Sequence, residues 1–526
     1  MTTQHPMGRR IALAAMLIAV GSITSRLIGV IREAVFAATF GRGNELAAFT
    51  AASTIPTLVY DLLLSGALSA ALVPVFSRVV QQPEVRDALV SRVLSLMLVV
   101  VSGIILPLLW LAPQVVQLLA GGFDANLQLL TTTMVRWMLF AVPCMVVAGV
   151  MTAVLQAQQQ FVLPAFATSI FNIGIIIAAV ILAPWLGPIA LAIGMVLGAV
   201  LQVALQYYGL RQSRLTWRTD WRDPSIVEML RLYAPVALGM GFSAIGTLID
   251  RRYATDFGAQ VLPTMRYATT LIQFPLGLVA AAVSTAILPS LARLSDSKSR
   301  EQFRSTVGTA LTVVIALIVP ASLVLWLIRV PITAVILQRQ AFSVTDTQAV
   351  ANTLMYYIPG LPAAAIDQIL LFACYARGRT LAPNLVQGGA IIAYVLGVWL
   401  VMPWLGHSAE TLAMANSIQW IAHMLLMVLL CQQQFDLRGL AIGQTLVLCV
   451  IAAAVTWAIV QAILVLVVIS QVLMQVIVIA GVTAVVYLVV AWLLGITPVL
   501  LAADLLRQRL MTVIMRLWPT PPQARL

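Results

Sequence analysis

The sequence predicts an all-α polytopic membrane protein with about fourteen transmembrane helices. Three observations lead there. Of 526 residues, 61% are hydrophobic and 9% charged, where soluble domains carry roughly 25% charged residues. Apolar runs long enough to span a bilayer recur along nearly the whole chain. Arginines gather in alternate short loops.

A soluble fold of this length cannot hide so much apolar surface, so lipid is the solvent. There every backbone amide needs an internal partner, which leaves helices or a closed barrel. The runs are continuous and do not alternate at period two, so helices are expected. They fall near residues 11–39, 46–76, 90–112, 129–156, 162–184, 188–209, 228–256, 261–292, 305–328, 349–375, 382–403, 409–432, 439–463 and 469–495. The first run begins after Arg9-Arg10, outlasts a signal-peptide core and has no small-residue cleavage site, so it reads as a retained span.

The formal charge of +12 comes from 29 Arg and one Lys against 18 acids. In a soluble protein that balance would suggest nucleic acid; here its placement points to topology and excludes that partner. Arg78, Arg86 and Arg92 follow the second span. Arg211, Arg214, Arg218 and Arg222 follow the sixth, and Arg293, Lys298, Arg300 and Arg304 the eighth. The opposite loops hold only Arg42, Arg329 and Arg339. Positive loops face the cytoplasm, which places both termini there and requires an even number of spans. From Leu500 onward, Leu, Met and Ile alternate with spaced Arg; the tail is an amphipathic helix on the inner leaflet or a frayed polar end.

A repeat sets the architecture. Gly66-Ala-Leu-Ser-Ala-Ala-Leu-Val-Pro-Val-Phe-Ser-Arg78 closes the second span, and Ala281-Ala-Val-Ser-Thr-Ala-Ile-Leu-Pro-Ser-Leu-Ala-Arg293 closes the eighth, aligned without a gap. Phe40-Gly41 and Phe257-Gly258 correspond upstream. A unit of about six spans, entering twice from the same side, is a parallel repeat. The expected division is an N-terminal lobe over 1–210, a cytoplasmic linker over 211–226, a C-terminal lobe over 227–434, two further helices over 435–497 and a cytoplasmic tail over 498–526. A cavity between two such halves suits alternating access.

Ionisable residues inside spans are costly and face cavities or partners. Arg26 and Arg32 are six residues apart and share a broad face of the first span. Glu33 is adjacent to Arg32, and neighbours on a helix do not face each other, so Glu33 is expected to serve another helix or the cavity rim. Further cavity candidates are Asp61, Arg136, Asp250, Arg251, Arg266 and Asp367; Arg251 and Arg252 also stand where long side chains snorkel to an interface. Several arginines facing one cavity suit an anionic cargo, because guanidinium grips phosphate bidentately.

Other chemistries find no support. Lys298 sits in Ser-Lys-Ser, so no phosphate loop for ATP exists. His5, His407 and His423 are scattered, and Cys144, Cys374, Cys431 and Cys449 lie in apolar runs as small hydrophobes, so no metal site is expected. The chain reads as a transporter and not an enzyme. It needs no cofactor, and a coupling monovalent cation, the membrane potential or cargo supply would drive it.

Ser25-Arg26-Leu-Ile-Gly-Val-Ile-Arg32-Glu33 with Phe40-Gly41 resembles the opening motif of the MurJ/MviN family, bacterial lipid II flippases of the multidrug/oligosaccharidyl-lipid/polysaccharide exporter superfamily. Ser65 to Ser77 is similar to the second-span signature. Phe161-Val-Leu-Pro-Ala with Asn172, Phe274-Pro-Leu-Gly through Leu288-Pro-Ser, and Tyr375 through Pro383 add further matches. The resemblance spans roughly the first twelve helices. It implies two lobes around a cationic cavity, a lipid groove formed by the last two helices, and export of the undecaprenyl-linked peptidoglycan precursor from the bacterial inner membrane's cytoplasmic leaflet, with cell-wall synthesis proteins as partners. It implies that Arg26 and Arg32 grip the headgroup and that Glu33 is the acid beside them. The chain departs from the pattern at Ala47, Tyr60-Asp61, Ser65 and Thr270, where the family carries charge. Arg266, one turn before Thr270, stands as a replacement arginine. The alternatives left open are another lipid-linked glycan, or a small-molecule antiporter of the same superfamily.

Overall fold

A computed structural model describes residues 6–64, 67–293, 300–378, 381–467, 469–501 and 504. Ser65, Lys298 and the tail beyond residue 504 lie outside them. Among the described residues the secondary structure is helical throughout. The helices are α1 (Pro6–Phe40), α2 (Asn44–Leu64), α3 (Ala67–Val79), α4 (Pro83–Trp110), α5 (Ala112–Ala120), α6 (Ala125–Leu139), α7 (Ala141–Ala157), α8 (Val162–Ile181), α9 (Ala183–Leu186) and α10 (Ile189–Gly209). They continue with α11 (Pro224–Asp256), α12 (Val261–Arg293), α13 (Arg300–Leu337), α14 (Val344–Tyr357), α15 (Leu361–Ala376), α16 (Leu381–Leu405), α17 (Ala409–Phe435), α18 (Ile442–Leu466) and α19 (Val472–Leu493).

Eleven helical stretches among the described residues are long and apolar enough to cross a membrane, by length and composition. The other three expected spans fall on α1, α11 and α12. These helices run 35, 33 and 33 residues, well over the roughly 20 a bilayer needs. They are also the helices that carry Arg26, Arg32, Glu33, Asp250, Arg251 and Arg266.

The chain forms two compact units. The first comprises residues 1–274, 333–357 and 379–426; the second comprises 275–332, 358–378 and 427–526.

In the first unit, small residues let helices approach closely. A side chain on Gly21 of α1 would meet the Ala165 carbonyl of α8 at 2.5 Å, and one on Gly174 of α8 would meet Gly198 of α10 at 2.5 Å. These contacts fix α1 against α8, and α8 against α10. The linker after α10 has no helix, and α4 holds it. Arg92 bonds Asp220 and Asp223 at 2.6 and 2.8 Å, Asp87 accepts from the Arg214 amide at 2.7 Å, and Ser91 from the Thr216 amide at 3.0 Å. The Arg92 guanidinium, through its hydrogen bond, holds the Asp220 carboxyl below the usual carboxylate range.

Turns after α1 and α11 repeat one backbone feature. Gly41 and Gly258 both have positive φ, +57° and +132°, a region that favours glycine. They are the glycines of the two Phe-Gly pairs matched in the sequence. The corner after α1 is locked within the unit. Arg42 donates to Asp346 at 2.7 Å and to Thr264 at 2.9 Å, Tyr267 donates to the Gly41 carbonyl at 2.8 Å, and the Ala341 amide to the Ala38 carbonyl at 3.2 Å.

In the second unit, Ile328, Val460 and Ile479 are buried together, joining α13, α18 and α19. Arg377 stacks over Phe303, 4.3 Å from the ring centre. Arg304 donates to the backbone carbonyls of Asp436 and Arg438. Cys374 and Cys431 are buried with their sulfurs 3.5 Å apart, and all four cysteines are free thiols.

Candidate functional site

The site lies in the first unit, on α1, α2, α8, α11 and α12. Glu33 is its centre, a carboxylate only 1% exposed. Arg266 of α12 grips it in a fork, Nε to one oxygen at 2.8 Å and Nη2 to the other at 2.7 Å. Two parallel N–H···O bonds of this kind are among the strongest polar contacts in proteins. Arg32 reaches the same carboxylate, with Nη2 at 2.6 Å and Nε at 3.1 Å. The expectation that Glu33 serves another helix is met by Arg266. The expectation that Arg32 and Glu33 cannot face each other is overturned. The spacing rule describes where Cβ atoms point, and these two side chains are long enough to fold back and meet. The third N–H group of Arg32 donates to Asn172 Oδ1 of α8 at 2.8 Å.

Aromatic rings floor this cluster. Phe36, one turn after Arg32, lies 5.7 Å from the Arg32 guanidinium and 5.2 Å from that of Arg266; Phe49 of α2 lies 5.3 Å from Arg266. The rings exclude water from one side and present their electron-rich faces to the cations. Two guanidiniums sharing one carboxylate leave a net positive charge.

Two cavities open from the cluster, and a third adjoins the second. The largest of the three, about 590 Å³, is lined by Arg26, Arg32, Asn172, Gln156, Thr270 and Gln273 among others, with no carboxylate among the described residues of its wall. Arg26 is half-buried there, its Nη1 on the Gln273 carbonyl at 2.9 Å. The second, about 380 Å³, shares Arg32, Thr270 and Gln273 with the first and adds Glu33, Asp61, Arg251 and Arg266. The third, about 270 Å³, shares Arg251 with the second and holds Asp250. There Asp250 accepts from Tyr394 at 2.7 Å and Asn416 at 3.4 Å, and pairs loosely with Arg251 at 3.4 Å.

The fold therefore gathers Arg26, Arg32, Glu33, Asp61, Asp250, Arg251 and Arg266 around connected space. Two candidates lie elsewhere: Arg136 is exposed on α6, and Asp367 is on α15 in the second unit. Arg251 lines two of the cavities, whereas Arg252 pairs with Asp256 at 3.1 Å and bonds the Gln117 carbonyl. Of the positions where family charge is lost, Ala47 is buried and Thr270 lines the cavity wall one turn from Arg266. Sequence reasoning missed Asn172, Phe36, Phe49, Tyr394 and Asn416 as site residues, and the Arg42–Asp346 lock. Arg42 gave a signal, as a charge in a loop otherwise poor in arginine.

Comparisons with known proteins bear on this arrangement. The family model described as "Lipid II flippase MurJ" matches residues 36–502. The lipid II flippase MurJ of Burkholderia cenocepacia is 29% identical over 408 residues, covering 74% of this chain and 78% of that protein. The probable lipid II flippase MurJ of Haemophilus influenzae is 27% identical over 424 residues, covering 76% and 81%. Among solved structures, a lipid II flippase MurJ in an inward closed conformation superposes with a TM-score of 0.78 at 20% identity, covering 91% of this chain and 99% of that one. An inward-facing MATE family multidrug transporter of the MOP superfamily gives 0.65 at 14% identity, covering 80% and 96%.

Proposed function

The chain belongs to the MurJ family of lipid II flippases, and from that premise we propose that it carries lipid II between leaflets by alternating access, with the diphosphate headgroup held by Arg26 and Arg32. The observation that carries this is the 590 Å³ cavity, whose wall has two arginines and no carboxylate among the described residues. An anion entering it meets guanidinium donors in a fork geometry suited to phosphate. Arg266 and Glu33 position Arg32: the Glu33 fork anchors the pair, and the remaining positive charge faces the cargo.

About fourteen spans, counting α1, α11 and α12, would place both termini in the cytoplasm of a bacterial inner membrane. The repeat would then set a lobe over residues 1–210 and another over 227–434, joined by the linker 211–226. The loop after α1, closed by Arg42 and Asp346, would be the outer side. Movement would draw on a monovalent cation, the membrane potential or cargo supply, with no ATP hydrolysis. Lipid II is the cargo, and other cell-wall synthesis proteins supply and consume it.

The test is complementation of a flippase-depleted strain, with a topological assay of lipid II. Wild type should restore outward movement. Arg26→Ala should abolish it at normal protein levels, because among the described residues Arg26 bonds only the Gln273 backbone carbonyl and its loss leaves the Glu33 cluster intact. Normal complementation by Arg26→Ala sinks the headgroup role. Lipid II held inside while another lipid-linked glycan moves out overturns the cargo.

A further inference from the structure

The first and second cavities share a wall but differ in chemistry. The first offers donors: the guanidiniums of Arg26 and Arg32, and the Asn172 amide nitrogen, since its oxygen is taken by Arg32. The second, although Arg32, Arg251 and Arg266 line part of it, adds a set of acceptors. Thr50, Ser53, Thr54, Thr247, Thr269 and Thr270 line it, and each donates its hydroxyl proton to a backbone carbonyl on its own helix, at 2.7, 3.1, 3.1, 3.1, 2.9 and 3.0 Å. A carbonyl can only accept, so the hydroxyl must be the donor in every case. What these residues turn to the cavity is oxygen lone pairs.

Two carboxylates line the same space. Glu33 is taken by Arg32 and Arg266. Asp61, half-buried on α2, has no ion pair or hydrogen bond to its carboxylate among the described residues. The guanidinium of Arg251 lines the cavity too, yet its pairing is with Asp250. A lone carboxylate within a membrane span is costly; the hydroxyls around Asp61 do not offset its charge, and the arginines of the same wall bond Glu33 and Asp250 and not Asp61. A cation does. The wall thus has the composition of an ammonium site: one carboxylate to neutralise charge, and surrounding oxygens to accept the remaining N–H groups.

We propose that Asp61 anchors a primary ammonium group of the cargo, so that the connected cavities read a zwitterion, with the anionic group at Arg26 and Arg32 and the cationic group at Asp61. This rests on the cargo reading above and adds to it a rule of selection: a lipid-linked glycan without a free amine binds less well. The position falls where the family pattern carries arginine, so the rule concerns this chain's own sequence.

The test uses the full chain in nanodiscs and two probes: lipid II carrying a free side-chain amine on its peptide, and the same molecule acetylated on that amine. A charge-assisted hydrogen bond lost on acetylation should weaken binding to the wild type about tenfold or more. Asp61→Asn, nearly isosteric, should bind both probes alike at the level of the acetylated one, and Asp61→Glu should keep a preference for the free amine. Equal binding of both probes by the wild type overturns the assignment, as does a preference that survives in Asp61→Asn. If Asp61→Asn shifts the sodium or proton dependence of transport while the preference survives, Asp61 holds a coupling cation and the cargo assignment is wrong. If the wild type binds neither probe, the lipid II reading fails first and takes this one with it.

Discussion

Replacing Glu33 with glutamine removes one charge from the most buried point of the site. The carboxylate takes four guanidinium contacts of 2.6–3.1 Å, two from Arg32 and two from Arg266. Glutamine keeps the shape, but it turns an N–H group toward at least one guanidinium and leaves two cations uncompensated. Breaking a buried pair by removing one partner costs about 3–5 kcal/mol. The arginines are 22% and 16% exposed, so cavity water relieves part of the cost and the lower end, about 3 kcal/mol, applies. In a thermal melt of the purified protein that corresponds to a fall of roughly 3 °C. The double variant Glu33→Gln, Arg266→Gln strands one cation fewer, so its loss should be smaller than the sum of the two single losses. Melting followed by intrinsic fluorescence in one detergent reads all four proteins. A single variant melting within about 1 °C of wild type, or additive losses in the double, refutes the shared-carboxylate argument.

The remaining predictions address other parts of the first unit. Arg42→Ala should loosen the corner between α1 and α2, so that a cysteine placed at buried Thr264 gains reactivity toward an impermeant maleimide added outside the cell; unchanged labelling would count against the lock. Arg136→Ala should support normal complementation and shift stability by no more than about 0.5 kcal/mol, as for an exposed surface change; loss of complementation would return Arg136 to the site. The Asp220 carboxyl is held low by Arg92, so the stability it contributes is present above the ordinary carboxylate range and is lost as pH falls through its depressed value. Protease cleavage of the linker should therefore rise at acid pH in wild type, and Asp220→Asn should flatten that dependence; identical pH profiles would refute it.

How much of this was legible beforehand depends on the scale of the interaction. Composition settles lipid as the solvent, because nothing else accommodates so few charges. Arg26, Arg32, Glu33 and Arg266 were each visible as expensive charges in apolar runs, and the fold brings all four to one place. Their pairing was less visible. The Arg266–Glu33 fork joins residues 233 positions apart, and the Arg42–Asp346 bond joins residues 304 apart; a single sequence carries no record of such separations. Arg136 stands in an apolar run as a further cavity candidate beside the stronger Arg26, yet it is exposed while Arg26 lines a cavity, since which helix face turns inward is decided by packing. The Arg32–Glu33 contact was misjudged because a rule about helix spacing says nothing of how far a long side chain bends.

The charge balance of the α1–α12 cluster has an electrical consequence. Arg26, Arg32 and Arg266 against Glu33 and Asp61 leave one positive charge in excess, with Arg251 cancelled by Asp250. A diphosphate diester, ionised once on each phosphorus, together with the ammonium group assigned to Asp61, cancels it. The loaded site is then close to neutral and crosses the field of the membrane with little work, while the empty site does not. Voltage acts at about 2.3 kcal/mol per charge per 100 mV, so a negative interior draws the vacant site back toward the cytoplasm. If the membrane potential drives the return stroke, current recorded from the protein should flow when it resets, with cargo delivery nearly silent.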